Sequence, residues 1–338
     1  MKTRNMKAIL LSGSVLALSV AFFASCSKSS SNSGPTVVVP TNPGGYDSAA
    51  QIQPTALKAY FSFNGNFNES KNGLVATTSA TAPTFGTGIK GQGYQGNGSS
   101  YLVVPLGSAA SVFSGSAFPS YTVSVWILEP QEPIYAPSGN YTPGQGPEGV
   151  LFMYDAAGHQ DLLHMDIEPY AQATQDTMSL NAGMDATGLT TTGAYAGSVA
   201  GGSESVVPNA RLDTAIKKWT AVVMTYDAAS SNYTLYENGT AVFANSAWST
   251  YAAGPAPVQI LTGPTGGTGS VPLGTLNYTP APTGFVIGAW CGTANVGGFT
   301  PNQYSGSFKG TMDELRIYNT ALSASDVKSL YILEKAGL

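Results

Sequence analysis

Charge is scarce in this chain. Of its 338 residues only 10% are charged, 14 basic and 19 acidic, for a formal net charge of −5. No Lys/Arg cluster occurs beyond the first residues, which removes the electrostatic footprint a nucleic-acid partner requires. The long apolar run, Ala8 to Phe23, is too short and too sharply ended for a spanning helix. Internal repeats are absent. What the chain has instead is Gly 40, Pro 21 and Tyr 18, a composition that suits many short strands joined by tight turns. Asn238-Gly239, between the run Tyr233 to Tyr236 and the run Ala241 to Phe243, is the strongest hairpin signal. The length suffices for one large all-β sandwich.

The sharpest pattern closes the chain. From Phe308 to Ser323 the residues read F-x-G-x-x-D-E-x-R-I-Y-N-x-A-L-S, a strand followed at once by a helix. Strand alternation puts Asp313, Leu315 and Ile317 on a core face and Glu314, Arg316 and Tyr318 on the other. A core-facing Asp313 requires a partner, because a buried carboxylate is costly unless paired, hydrogen-bonded or metal-bound. Ser323 can cap the helix, Asp326 takes the capping-box position, and Leu322 can staple onto Val327.

This ending resembles the laminin-G-like, concanavalin A-like jelly-roll domains of bacterial surface proteins. Five further segments match that family in order: Leu57 to Glu69, Gly91 to Pro105, Tyr121 to Ile127, Lys218 to Asp227 and Asn232 to Gly239. The resemblance implies a jelly-roll sandwich over residues 56–338, with long loop insertions and a short C-terminal helix. It also implies a structural Ca²⁺ between the first-strand loop and the last strand, held here by Asn64, Glu69 and Asp313. Asn64 and Glu69 stand where the family often has Asp. The competing reading is an Asx turn, with Asp313 bonded to backbone N–H groups.

The N-terminus addresses the protein to a membrane. A basic stretch, Met1 to Lys7, precedes the apolar run, and Phe23-Ala24-Ser25-Cys26 resembles a bacterial lipobox, so residues 1–26 read as a lipoprotein signal with Cys26 as the lipidated residue. The expected location is the outer membrane or cell surface. Residues 27–55, rich in Ser, Asn, Pro and Gly, read as a flexible tether. With Cys26 lipidated, Cys291 is the one remaining thiol and no intrachain disulfide can form. Its place at a strand end suits a small filler.

Site candidates come from two strands and two tryptophans. In the run Leu163 to Glu168, alternation sets His164, Asp166 and Glu168 on the face opposite the core. That run resembles the Glu-x-Asp-x-Glu strand of laminarinase-type glycoside hydrolases, with His164 where the nucleophile stands. Since a retaining glycosidase needs two carboxylates, hydrolysis is the alternative and a polar binding face the expectation. A His-Asp-Glu metal triad is a further possibility. Trp126 and Trp290 fall on faces away from the core and could stack on sugar rings. Three Gly/Pro-rich insertions, Glu129 to Glu148, Ala171 to Ile216 and Asn245 to Thr283, read as functional loops or spacers. The chain therefore reads as a lipid-anchored module, non-catalytic, that binds glycan, with a protein ligand as the competing partner.

Overall fold

The structure, a computed structural model, describes residues 42–130, 146–159, 162–167, 178–184, 210–212, 216–243, 256–257, 259–262, 269–302 and 305–338. In chain order the strands are β1 (Leu57–Phe61), β2 (Thr77–Thr78), β3 (Thr84–Thr87), β4 (Gln92–Gln95), β5 (Leu102–Pro105), β6 (Tyr121–Leu128), β7 (Glu148–Tyr154), β8 (Leu163–Ile167), β9 (Met178–Gly183) and β10 (Ala210–Leu212). They continue with β11 (Thr220–Asp227), β12 (Asn232–Glu237), β13 (Thr240–Phe243), β14 (Ala256–Pro257), β15 (Gln259–Thr262), β16 (Gly269–Pro272), β17 (Gly284–Ile287), β18 (Gly306–Ser307) and β19 (Thr311–Tyr318). Among the described residues there are two α-helices, the single turn α1 (Cys291–Ala294) and α2 (Ala324–Lys335), besides four short 3-10 turns.

Two sheets face each other. The first runs β13-β12-β11-β6-β19-β4-β3, with β1 beside β19 and β14 beside β12. The second runs β10-β9-β8-β7-β17-β5-β2, with β18 beside β7. Pairing is antiparallel except for the short β18–β7 contact. Phe61, Val123, Val125, Leu315 and Ile317 from the first sheet meet Leu102, Val104, Leu151, Met165 and Phe285 from the second in one core. This is an all-β, jelly-roll-like sandwich, as the composition and turn pattern indicate.

Local sequence explains much of it. Tyr236 pairs with Ala241 and Glu237 with Thr240, leaving Asn238 (φ 51°) and Gly239 (φ 75°) as a two-residue turn whose positive φ angles match the strand twist. Ser323 accepts the Asp326 N–H at 3.1 Å, and Leu322 and Val327 are buried together. The Asp326 carboxylate does not close a reciprocal capping box; it accepts the Tyr46 hydroxyl at 2.8 Å.

Three expectations change. The packed part of the domain starts upstream of residue 56, since Ala49 and Ile52 are buried with Val327, Leu330 and Leu333 of α2; the apolar residues within the expected tether find a ready surface there. Asp313 is not on the core face. Register shifts between Asp313 and Arg316, with Glu314 at φ 52°, so the bulged strand keeps Met312, Leu315 and Ile317 in the core and turns Asp313 to the side of its partner Trp126. The second insertion is not all loop: Met178–Gly183 and Ala210–Leu212 extend the second sheet as β9 and β10.

A candidate ligand face on the second sheet

The outward side of the second sheet is built by alternation. Leu163, Met165 and Ile167 of β8 face the core, as do Leu151 and Met153 of β7 and Leu180 and Ala182 of β9. Phe152, His164, Asp166 and Asn181 therefore face outward, with Phe152 paired to His164 and Asp166 paired to Asn181. After β17 the chain folds back over this face through Gly288 (φ 85°) and α1. There Phe152, Tyr154, Val286, Ala289 and Cys291 form a buried satellite cluster, and Tyr101, Trp290 and Phe299 are half-buried against it. Cys291 is fully buried, the filler that its position suggested.

Trp290 and His164 flank one ring. The Phe152 centroid lies 4.7 Å from Trp290, tilted by 40°, and 6.0 Å from His164, nearly parallel at 20°. His164 Nε2 stands 3.4 Å from Asn181 Oδ1. Gly149 makes this packing possible, because a Cβ there would lie 2.6 Å from the Trp290 backbone nitrogen, closer than any side chain tolerates. The Trp290 Nε1 is buried and has no hydrogen-bond partner among the described residues.

The structure thus brings Trp290, His164 and Asp166 to one sheet face. Their exposure differs, however: Trp290 is half-buried, whereas His164 and Asp166 are buried. Glu168 and Cys26 lie outside the described residues. Tyr101 and Phe299 were not anticipated from sequence; each stands as a lone aromatic in a Gly/Ser-containing or Gly/Thr-containing connection, and that isolation is the signal that could have marked them.

Trp126 does not belong to any ligand face. It is on the outer side of the first sheet as alternation requires, but α2 covers it. Its exposure is 1%, its ring stacks on Tyr331 at 5.6 Å and 18°, and its indole N–H donates to Glu334 Oε2 at 2.7 Å. Beneath the same helix, Arg316 Nε donates to Glu334 Oε1 at 2.6 Å, and Arg316 Nη2 donates to Glu314. The Tyr60 hydroxyl donates to Glu314 at 2.8 Å, with the guanidinium 4.0 Å above the Tyr60 ring. Burial raises Glu334 to about 7 against the pull of the Arg316 charge. The D-E-x-R run is, in this fold, the acceptor and donor set of a buried network that seats α2.

The residues assigned to calcium divide between two turns. Asn64 Oδ1 accepts the Gln92 N–H at 2.8 Å and Asp313 Oδ2 accepts the Lys90 N–H at 3.0 Å, so both grip the turn between β3 and β4. Asp313 Oδ1 also accepts the Glu314 N–H at 2.8 Å. Glu69 serves elsewhere, accepting N–H bonds from Tyr60 at 3.0 Å, Asn72 at 2.6 Å and Lys71. Among the described residues no group of three or more His, Cys, Asp or Glu is placed to hold a metal. Burial pushes the Asp313 carboxyl up to about 7; the Lys90 N–H bond pulls it down, and the Glu314 charge pushes it up.

No family model and no curated protein matches the chain in sequence. Similar solved structures include domain 4 of AbnA, a GH43 extracellular arabinanase from Geobacillus stearothermophilus, in complex with arabinotriose, at 18% identity and a TM-score of 0.42, covering 81% of this chain and 97% of that one. The Trypanosoma rangeli sialidase is similar at 14% identity and a TM-score of 0.43, covering 83% of this chain and 33% of that one. A botulinum neurotoxin type C structure, described by an interaction with two ganglioside molecules, is similar at 9% identity and a TM-score of 0.45, covering 83% and 52%. This chain thus spans about a third of the sialidase and half of the toxin chain. The sandwich assignment rests on the two sheets themselves.

Proposed function

We propose that residues 42–338 form a carbohydrate-binding module without catalytic activity, tethered to a bacterial membrane through lipid on Cys26. The observation that supports this most is the trio of half-buried rings, Tyr101, Trp290 and Phe299, over the satellite cluster of the second sheet. Aromatic faces held rigid from below and open in part above offer stacking area to the apolar C–H faces of sugar rings at little entropic cost. The low charge of the chain favours a neutral polymer over an ionic ligand. Hydrolysis is the weaker reading: it requires an attacking group and an acid, and His164 fills the attacking position while packed on Phe152.

The decisive measurement is glycan binding by the full chain and by Trp290→Ala. Affinity for the polysaccharide that binds best in a panel of laminarin, arabinan and xylan is expected to fall about tenfold, equivalent to ~1.4 kcal/mol. Unchanged affinity would move the ligand off this face. Reducing-sugar release abolished by Glu168→Gln would replace the binder with a hydrolase.

A Ca²⁺ held by Asp313 and Asn64 is a further part of this reading. A metal bound only to the folded state raises its melting temperature by an amount that grows with the logarithm of free ion over Kd. Chelation is therefore expected to lower the melting temperature of the wild type but not that of Asp313→Asn. A wild-type melting curve indifferent to chelator would leave Asp313 as the clamp of the β3–β4 turn alone.

A further inference from the structure

The chain enters the domain on one face. Tyr46 bonds to Asp326, the Ala49 N–H donates to the Leu338 carbonyl at 3.3 Å, and Ala49 and Ile52 are buried against α2. The last part of the expected tether is therefore bound along α2, outside the first sheet, while Trp290 and its neighbours stand outside the second. Residues 27–41 join Cys26 to that edge. Such a length spans at most about 50 Å, and it joins the domain on the α2 side.

The outward side of α2 has a distinct chemistry. Its acids are turned to protein partners, Asp326 to Tyr46 and Glu334 to Arg316. Its lysines, Lys328 and Lys335, are exposed, and each holds Nζ 5.1 Å from the Tyr331 ring centroid. Lys335 also donates to the Tyr331 hydroxyl at 2.8 Å. Spacings of three and four put these residues on one helical stripe. Asp47 is exposed on the incoming segment, which leaves the stripe with the larger share of positive charge.

We propose that this stripe, Lys328, Tyr331 and Lys335, docks on the anionic phospholipid headgroups of the membrane that carries the anchor. The proposal rests on the lipid-anchor reading above. Ammonium groups meet the phosphates, and the Tyr331 ring between them lies at the headgroup level. Two lysines are too few to hold a protein on a bilayer alone, but joined to a lipid chain they supply the second signal. Docking of α2 turns the Trp290 face away from the bilayer and toward glycan outside it.

Lysine acylation read by mass spectrometry tests the orientation on the full lipidated chain. The vesicles are phosphatidylcholine with and without phosphatidylglycerol. Labelling of Lys328 and Lys335 is expected to fall about fivefold when phosphatidylglycerol is present, with that of Lys309, which pairs with Glu148 of the second sheet, unchanged. Lys328→Glu should restore the labelling of Lys335. Labelling of Lys328, Lys335 and Lys309 that is equally indifferent to phosphatidylglycerol, on vesicles that still carry the protein, overturns the docking and leaves the anchor intact. A chain without a lipid mass at Cys26, or a Cys26→Ser variant that remains with the vesicles, overturns the anchor reading instead.

Discussion

Arg316→Met is expected to destabilise the domain by about 3–5 kcal/mol near neutral pH, the usual cost of removing one partner from a buried ion pair. Among the described residues, Arg316 is the one cation paired with Glu314 and Glu334, both buried. Met fills much of the volume but leaves two carboxylates under α2 without a counter-charge. Denaturant unfolding followed by circular dichroism measures the loss. A change below about 0.5 kcal/mol, the range of surface substitutions, would show that the network does not seat α2.

The same cluster fixes the direction of the pH response. Asp313 and Glu334 are both raised to about 7 by burial, whereas unfolded carboxyls ionise near 4. Between those values the folded state holds more protons than the unfolded state, so stability falls as pH rises. The contribution is fully present below about pH 4 and is lost as pH passes 7. Arg316→Met steepens this dependence, since its carboxylates can relieve the missing charge only by binding protons. Its deficit is therefore expected to narrow between pH 8 and pH 5.

The parts of the fold legible in the sequence are those set by neighbours along the chain. Alternation in β6 and β8, the Asn238-Gly239 turn and the Ser323 cap depend on a few adjacent residues and stand as the pattern implies. The bulge at Glu314 was not legible, because no glycine marks the left-handed residue and the partner strand imposes the shift. Nor was the burial of Trp126: alternation gives its face, but its cover comes from Glu334, 208 residues away. On the candidate site, the shared face of His164 and Asp166 followed from period-two spacing, whereas Trp290 lies beyond β17, past Gly288 at φ 85°, where strand alternation no longer applies. The unequal burial of the three did not follow from spacing either, since it depends on how the chain after β17 folds over Phe152.

Trp126→Ala separates the two tryptophans that sequence alone treated alike. Truncating a buried tryptophan typically costs about 3–5 kcal/mol, and here it also removes the stacking partner of Tyr331 and an N–H bond to a buried carboxylate. The melting temperature should fall by several degrees or more, while glycan affinity measured below the transition should match the wild type. Trp290→Ala should do the reverse, losing affinity with a smaller change in stability, because its ring is only half-buried. Trp126→Phe keeps most of the packing and lacks the indole N–H, so its cost isolates the bond to Glu334, about 1.5–3 kcal/mol for a hydrogen bond to a charged group. If Trp126→Ala were neutral in stability and weak in binding, α2 would not cover the indole and the ligand face would lie on the first sheet. The α2 stripe would then be the edge of a binding site and not a membrane contact, so this one variant bears on the orientation of the whole module.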